Sequence, residues 1–252
     1  MFRASAFKLN MFDTCGQQYK FTYIDHLDKQ YKQPKPYLTM GAHVHNALHD
    51  FYQKLEPSER TYEKLEELLR QRWRENRQGF SSLEDEKKWG IKALQMLRLY
   101  HHRTNIEQTP VLLEDFYDTQ ITEDITLLGR IDRADLLPDG SLHVIDYKTG
   151  KYDEENVGDL QLQLYAMIVG ANRKEPVTKA SYLYLQSMMW HTIDIVPEEL
   201  AKAVEVVRQQ VESIKAEKEF LPNPNRYCSS CDFLPICPAR EHIQVMIDNE
   251  EL

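Results

Sequence analysis

The sequence predicts an α/β chain in which a central mixed sheet is flanked by helices. Three observations predict it. Apolar residues recur at helical spacing from Gly41 to Leu55 and through two charged stretches that follow. Beyond Pro110 the pattern changes to runs rich in β-branched residues, separated by turn signals. Helical and strand patterns then alternate until a tail that carries three cysteines. A chain of 252 residues, 42% hydrophobic and 28% charged, is globular in composition and long enough to bury a core without disulfide staples.

The elements follow in order. An aromatic-rich stretch, Phe7 to Leu27, leads into a polar loop over Asp28 to Pro36. Val44, Leu48, Phe51, Tyr52 and Leu55 form one face of a helix over 41–55. Two further helices, about 61–76 and 83–103, make a helical insertion bounded by residues 57 and 108. Trp73, then Trp89, Ala93, Leu97 and Tyr100, supply their buried faces. Strands are predicted over 111–121, 125–137 and 142–149, the last two joined by the turn Pro138-Asp139-Gly140. A helix over about 155–171 and strands near 180–186 and 192–196 come next. The helix over 197–219 opens with proline and two glutamates, a favourable start because the first turn wants no N–H and prefers negative charge. Pro222 and Pro224 then break the chain.

Lysine and arginine number 31 against 40 aspartates and glutamates, a net charge of −9 that excludes an electropositive nucleic-acid coat protein. A local basic channel remains compatible with that total. No apolar run approaches the roughly 20 residues that span a bilayer, and residues 1–10 lack a signal-peptide core. The expectation is an intracellular, cytoplasmic protein without a membrane partner.

Chemistry concentrates in the strand region. Residues two apart on a strand share a face, so Asp146 and Lys148 project together while Tyr147 turns away. Asp132, on the preceding strand of the presumed hairpin, reaches the same face. Two carboxylates and a lysine at a strand end suit metal-assisted phosphodiester hydrolysis. Alone, Asp-x-Lys on a strand is most often a surface ion pair. His45 follows Gly41 on a helix, and Gln161 and Tyr165 stand one helical turn apart. The four cysteines are Cys15, Cys228, Cys231 and Cys237. The compact spacing of the last three suits one metal centre, either iron–sulfur or zinc.

Taken in order, Gly41-x-x-x-His45, Gly129-x-x-Asp132-Arg133, Asp146-Tyr147-Lys148-Thr149 and Gln161-x-x-x-Tyr165 resemble the RecB-like nucleases of the PD-(D/E)XK superfamily. Cys15-Gly16-Gln17-Gln18-Tyr19-Lys20-Phe21 resembles the start of some members. The resemblance covers about residues 5–240 and implies a single domain over 1–252, built on a restriction-endonuclease-like sheet. It implies that His45, Asp132, Asp146 and the backbone carbonyl of Tyr147 hold Mg²⁺ or Mn²⁺, with Lys148 catalytic. Gln161 and Tyr165 would position DNA, and Arg130, Arg133 and Lys151 would contact phosphates. Ile131 stands where the superfamily's name has proline. The spacing from Gly129 favours Asp132 over Asp135, and Glu114 resembles a supporting acid.

The cysteine pattern resembles the iron–sulfur subgroup of these nucleases, which includes CRISPR-associated exonucleases and the AddB-type helicase–nuclease subunit. There a [4Fe-4S] cluster closes a clasp, here residues 221–240, on the N-terminal cysteine. The activity implied is exonuclease action on single-stranded DNA or DNA ends, with 5′-to-3′ polarity, in repair, recombination or CRISPR adaptation. A separate helicase, integrase or recombination partner is implied as well, since the chain has no phosphate-binding loop of the helicase type. Two other readings stand beside it: a non-catalytic DNA-binding module that keeps the fold, and a zinc-stabilised interaction protein.

Overall fold

A computed structural model describes residues 1–249. The chain forms two compact units, one from residues 1–33 together with the stretch from Val204 onward, the other from Pro34 to Ala203.

The first unit opens with β1 (Phe2–Ala4), α1 (Ala6–Thr14), α2 (Gly16–Tyr23) and α3 (Asp28–Tyr31). Ser5 caps α1, its hydroxyl accepting from Lys8 N–H at 3.2 Å. Cys15 ends α1 and begins α2 in an extended conformation, so the chain bends sharply there. The second unit contains α4 (Pro36–Lys54), α5 (Tyr62–Glu75), α6 (Leu83–Arg103), β2 (Leu112–Gln120), β3 (Ile125–Leu136), β4 (Leu142–Lys148), α7 (Leu160–Asn172), β5 (Val177–Tyr184) and β6 (Met189–Asp194). Then come α8 (Pro197–Ala216) and α9 (Arg240–Asp248).

In the first unit the two ends of the chain are stitched together. Gln17 N–H donates to the Leu221 carbonyl at 3.3 Å, and the amides of Asn223 and Asn225 donate to the Thr14 carbonyl. Tyr19 stacks on Phe220 with ring centroids 6.0 Å apart.

The sheet of the second unit runs β2–β3–β4–β5–β6. Its β2–β3, β3–β4 and β5–β6 pairs are antiparallel, while β4 and β5 are parallel, joined by the crossover helix α7. The expected mixed sheet flanked by helices is thus present. Gly140, at φ +83°, takes the left-handed position that the β3–β4 turn requires. Asp139 secures that turn by accepting from Ser141 N–H at 2.9 Å.

Several boundaries differ from the sequence reading. α4 begins at Pro36, with proline in its first turn, so Gly41 lies inside the helix and not at its opening. Residues 154–156 form a short 3₁₀ turn, and α7 starts only at Leu160, beyond the helix-breaking Gly158. The residues read as a helical insertion pack into the main core. Leu65, Leu69, Ala93 and Leu97 join Val44, Leu48 and Phe51 of α4 and Ile145 and Leu183 of the sheet in one buried cluster.

Gly129 decides how closely α7 approaches β3. A Cβ there would lie 2.8 Å from Ile168 Cδ1 and 3.1 Å from the Tyr165 ring. Gly129→Val should therefore destabilise the protein by about 1–3 kcal/mol in urea denaturation, the usual range for overpacking. Gly150→Val, where nothing lies within 4 Å, should leave the midpoint unchanged.

Candidate functional site

Three adjacent strands bring three carboxylates abreast. β2 and β3 pair at Leu113–Arg133 and at Asp115–Ile131, and between these pairs Glu114 stands opposite Asp132. Glu114 has φ +50°, a conformation that costs a non-glycine residue about 1–3 kcal/mol. On the other side of β3 the ladder to β4 runs as far as Arg133–Ile145. One residue further, the Asp132 side chain takes over from the backbone, its Oδ2 accepting from Tyr147 N–H at 2.8 Å. That bond sets Asp132 beside Asp146.

α4 lowers His45 onto this row. Its Nδ1 lies 3.3 Å from Asp132 Oδ1 and 3.5 Å from Glu114 Oε1. A Cβ on Gly41 would come within 3.2 Å of Thr149 Oγ1, so the glycine one turn before His45 allows the helix to sit close to the end of β4. Burial opposes protonation of His45, but the charges and hydrogen bonds of Asp132 and Glu114 prevail and push its pKa up to about 10. Donor atoms of His45, Glu114 and Asp132 all lie within 4.8 Å of one another. Ligand atoms around an octahedral Mg²⁺, at about 2.1 Å from the ion, are spaced about 3 Å apart, so this set of one imidazole and two carboxylates suits a divalent cation.

Asp146 stands beside that trio and faces the lysine. Burial, followed by the nearby charge of Asp132, pushes its carboxyl up despite the opposing Lys148 ammonium. Lys148 Nζ is 2.7 Å from Asp146 Oδ2 as an ion pair, yet that buried oxygen accepts no well-directed hydrogen bond. Buried carboxylate oxygens left in this way are natural metal donors.

Gln161 and Tyr165 converge on the lysine from α7. Lys148 Nζ donates to Gln161 Oε1 at 2.9 Å, and Gln161 Nε2 donates to Tyr165 OH at 2.9 Å. Sequence reasoning missed Tyr182. Its ring centroid lies 4.5 Å from the Lys148 ammonium, and its hydroxyl donates to Gln161 Oε1 at 3.3 Å and to the Gly158 carbonyl at 3.2 Å. The relevant signal was the parallel register that sets Tyr182 beside Asp146 and Tyr184 beside Lys148, which no local pattern reveals.

Arg133 requires a correction: it is not a surface residue beside the acidic row. Strand alternation sends it to the face opposite Asp132, where it is 2% exposed. Its Nε donates to Asp135 at 2.7 Å and its Nη1 to Tyr100 OH at 2.7 Å, with the Tyr52 ring 4.4 Å away. Asp135 is accordingly a partner of Arg133 on that reverse face. Arg130 is 61% exposed, with Nε held 2.6 Å from Glu114 Oε2, and Lys151 is exposed. Replacing Arg133 by Met should destabilise the protein by about 3–5 kcal/mol, because Asp135 is left charged and buried. Removing both charges, in Arg133→Met with Asp135→Leu, should restore most of that loss in thermal and urea unfolding.

The first unit holds a separate constellation. Cys15, Cys228, Cys231 and Cys237 are all free thiols and line one cavity of about 30 Å³, walled by Phe21, Phe233 and Ile243. Backbone N–H groups point at the sulfurs: Asn225 N–H donates to Cys228 Sγ at 3.3 Å, and those of Phe233 and Ala239 serve Cys231 and Cys237. Burial, then the neighbouring thiols, push Cys231 and Cys237 above the ordinary thiol range. A shared apolar cavity with N–H donors to sulfur fits a thiolate-bound metal centre.

The family model of the PD-(D/E)XK nuclease superfamily matches residues 3–238. An ATP-dependent helicase/deoxyribonuclease subunit of Streptococcus agalactiae serotype Ia is 31% identical over 132 residues, which is 48% of this chain and 12% of that protein. The serotype V protein matches to the same extent. The chain therefore spans only 12% of the length of these curated relatives. A solved structure of a candidate exonuclease from Eubacterium rectale superposes with a TM-score of 0.54 at 13% identity, covering 94% of this chain and 86% of that one. That likeness is one of fold.

Proposed function

Because the chain belongs to the PD-(D/E)XK nuclease superfamily, we propose that it is a divalent-metal-dependent deoxyribonuclease, acting as an exonuclease on single-stranded DNA or DNA ends. The observation that carries this reading is the convergence of His45, Asp132, Asp146 and Lys148 from α4, β3 and β4 on one face of the sheet. His45, Asp132, Asp146 and the Tyr147 carbonyl would hold Mg²⁺ or Mn²⁺, with Glu114 alongside, and the cation supplies Lewis-acid polarisation of a phosphoryl oxygen.

The protein's own groups do the rest. Lys148 is 30% exposed, so its ammonium reaches the substrate side while Gln161 and Tyr182 fix its direction. From there it stabilises negative charge gathering on the phosphate oxygens, or orients a water toward phosphorus. Tyr165 keeps Gln161 in place. The guanidinium of Arg130, held at one edge by Glu114 and otherwise exposed, is a phosphate contact that helps to hold the strand.

We expect Mn²⁺-stimulated degradation of single-stranded DNA that falls by about 10² or more in Asp146→Ala and in Lys148→Ala, and that stops on chelation. Unchanged rates in these folded variants would sink the assignment. Tyr182→Phe keeps the ring under the lysine and should lose far less activity than Tyr182→Leu. Substrates blocked at the 5′ or the 3′ end test the proposed 5′-to-3′ polarity.

Four thiols on one cavity, in the spacing of the cluster-bearing members, support a structural [4Fe-4S] cluster, with zinc as the competing occupant. Phosphodiester hydrolysis moves no electron, so the cluster's work is to clasp residues 221–240 to Cys15. Anaerobically purified protein should be brown and contain iron and sulfide in cluster proportion, and Cys228→Ser should lose the colour and lower Tm. Colourless, zinc-loaded protein would overturn this part. The name of the Streptococcus relatives supports a helicase partner, in repair or recombination or beside an integrase in CRISPR adaptation.

A further inference from the structure

The two faces of the sheet carry different chemistry. Along β4, Asp146 and Lys148 face α7 and the acidic row, while His143, Ile145 and Tyr147 face the other way. On that reverse face lies a cavity of about 420 Å³, walled by the end of α6 and by β3 to β6. Its volume falls in the range of small-ligand sites.

Its lining is unusual for a chain of net charge −9. Arg103, Arg133 and Lys179 all contribute, against the single carboxylate of Asp135. Asp135 is already matched by Arg133 at 2.7 Å. Arg103 and Lys179 are both exposed, and neither has an ion-pair partner among the described residues. Lys179 feels the charge of Asp139 from a distance without pairing with it. Two cations therefore stand at one cavity without a bound carboxylate. Burial keeps the neighbouring His143 below its ordinary range, and its Nε2 is within 2.6 Å of the Ser181 hydroxyl, so it adds no fixed charge.

A further group narrows the ligand. Trp190 lines the same cavity yet is 42% exposed, with its ring 6.0 Å from that of His143. Unpaired cations suit a phosphate, and an exposed indole suits a flat base. We propose that this cavity is a second binding site, for a nucleoside monophosphate, either free or at the end of a strand.

The location gives such a site a bearing on the front face. Its floor includes Arg133 and Tyr147, which adjoin Asp132 on β3 and lie between Asp146 and Lys148 on β4. A ligand held there packs against the back of the strands that present the acidic row. The binding inference itself does not rest on the nuclease reading and can be tested apart from it.

The test is binding of dAMP, inorganic phosphate and a short 5′-phosphorylated oligodeoxynucleotide to the full chain without added divalent metal, by calorimetry and tryptophan fluorescence. dAMP should bind and quench fluorescence. Binding should weaken roughly tenfold or more in Arg103→Glu with Lys179→Glu, two exposed positions that leave the fold intact by circular dichroism. Trp190→Leu should remove the quench and weaken binding, while Lys148→Ala should change neither. An oligonucleotide that displaces dAMP, and loses affinity in the same variants, identifies the strand end as the source of the same chemistry. Inorganic phosphate binding as tightly as dAMP, or dAMP binding that ignores Lys179→Glu and Trp190→Leu, would overturn the proposal.

Discussion

The carboxylate of Asp132 is the constraint around which the second unit's chemistry is arranged. At the point where β3 and β4 cease to pair through their backbones, Asp132 Oδ2 accepts the Tyr147 N–H and takes the place of the missing ladder bond. A buried carboxylate bound to a backbone N–H is fixed to within a rotamer. Its other oxygen is thereby aimed at His45, and Asp146 is left close enough to feel its charge. Glu114, forced into a left-handed conformation on β2, completes the row. Like charges gathered at low dielectric are unfavourable without a cation, which is how such clusters become metal sites.

The lysine side is built by a different device. Lys148 is held by Asp146, Gln161 and the Tyr182 ring together, from β4, α7 and β5. A flexible four-carbon stem carries substantial rotamer entropy, and three simultaneous contacts remove it before any substrate arrives. Gly129 makes this possible from a distance, because a side chain there would push Tyr165 and Ile168 away and carry Gln161 with them. The glycine of the Gly-x-x-Asp pattern is thus a packing residue in service of the lysine.

Much of the fold was legible because its elements are locally consistent. The β2, β3 and β4 stretches, the Pro-Asp-Gly turn and α5 and α6 all carry the local signals of the elements they form. The differences lie where local signals conflict. Pro36 reads as loop but starts α4, and α7 starts only at Leu160, beyond Gly158. Arg133 differs for a related reason: an arginine beside a motif suggests solvent, while strict alternation from Asp132 demands the reverse face, where Asp135 and Tyr100 receive it.

The sequence by itself determined which side chains could do chemistry and which strand face each would share, because the two-residue period of a strand and the four-residue spacing of a helix are local properties. The shared strand face of Asp146 and Lys148, with Asp132 beside them, and the shared helix face of Gln161 and Tyr165 were legible in that way, while His45 and the joining of Cys15 to the other three cysteines were singled out only by the resemblance of the ordered motifs. Only the tertiary structure decided what stands between them. The parallel register that slides Tyr182 under Lys148, the pairing that brings Glu114 level with Asp132, and the cavity behind Tyr147 depend on contacts between segments far apart in the chain. The strands and helices themselves were determined locally. The sheet's two chemically distinct faces came from how the strands were laid side by side.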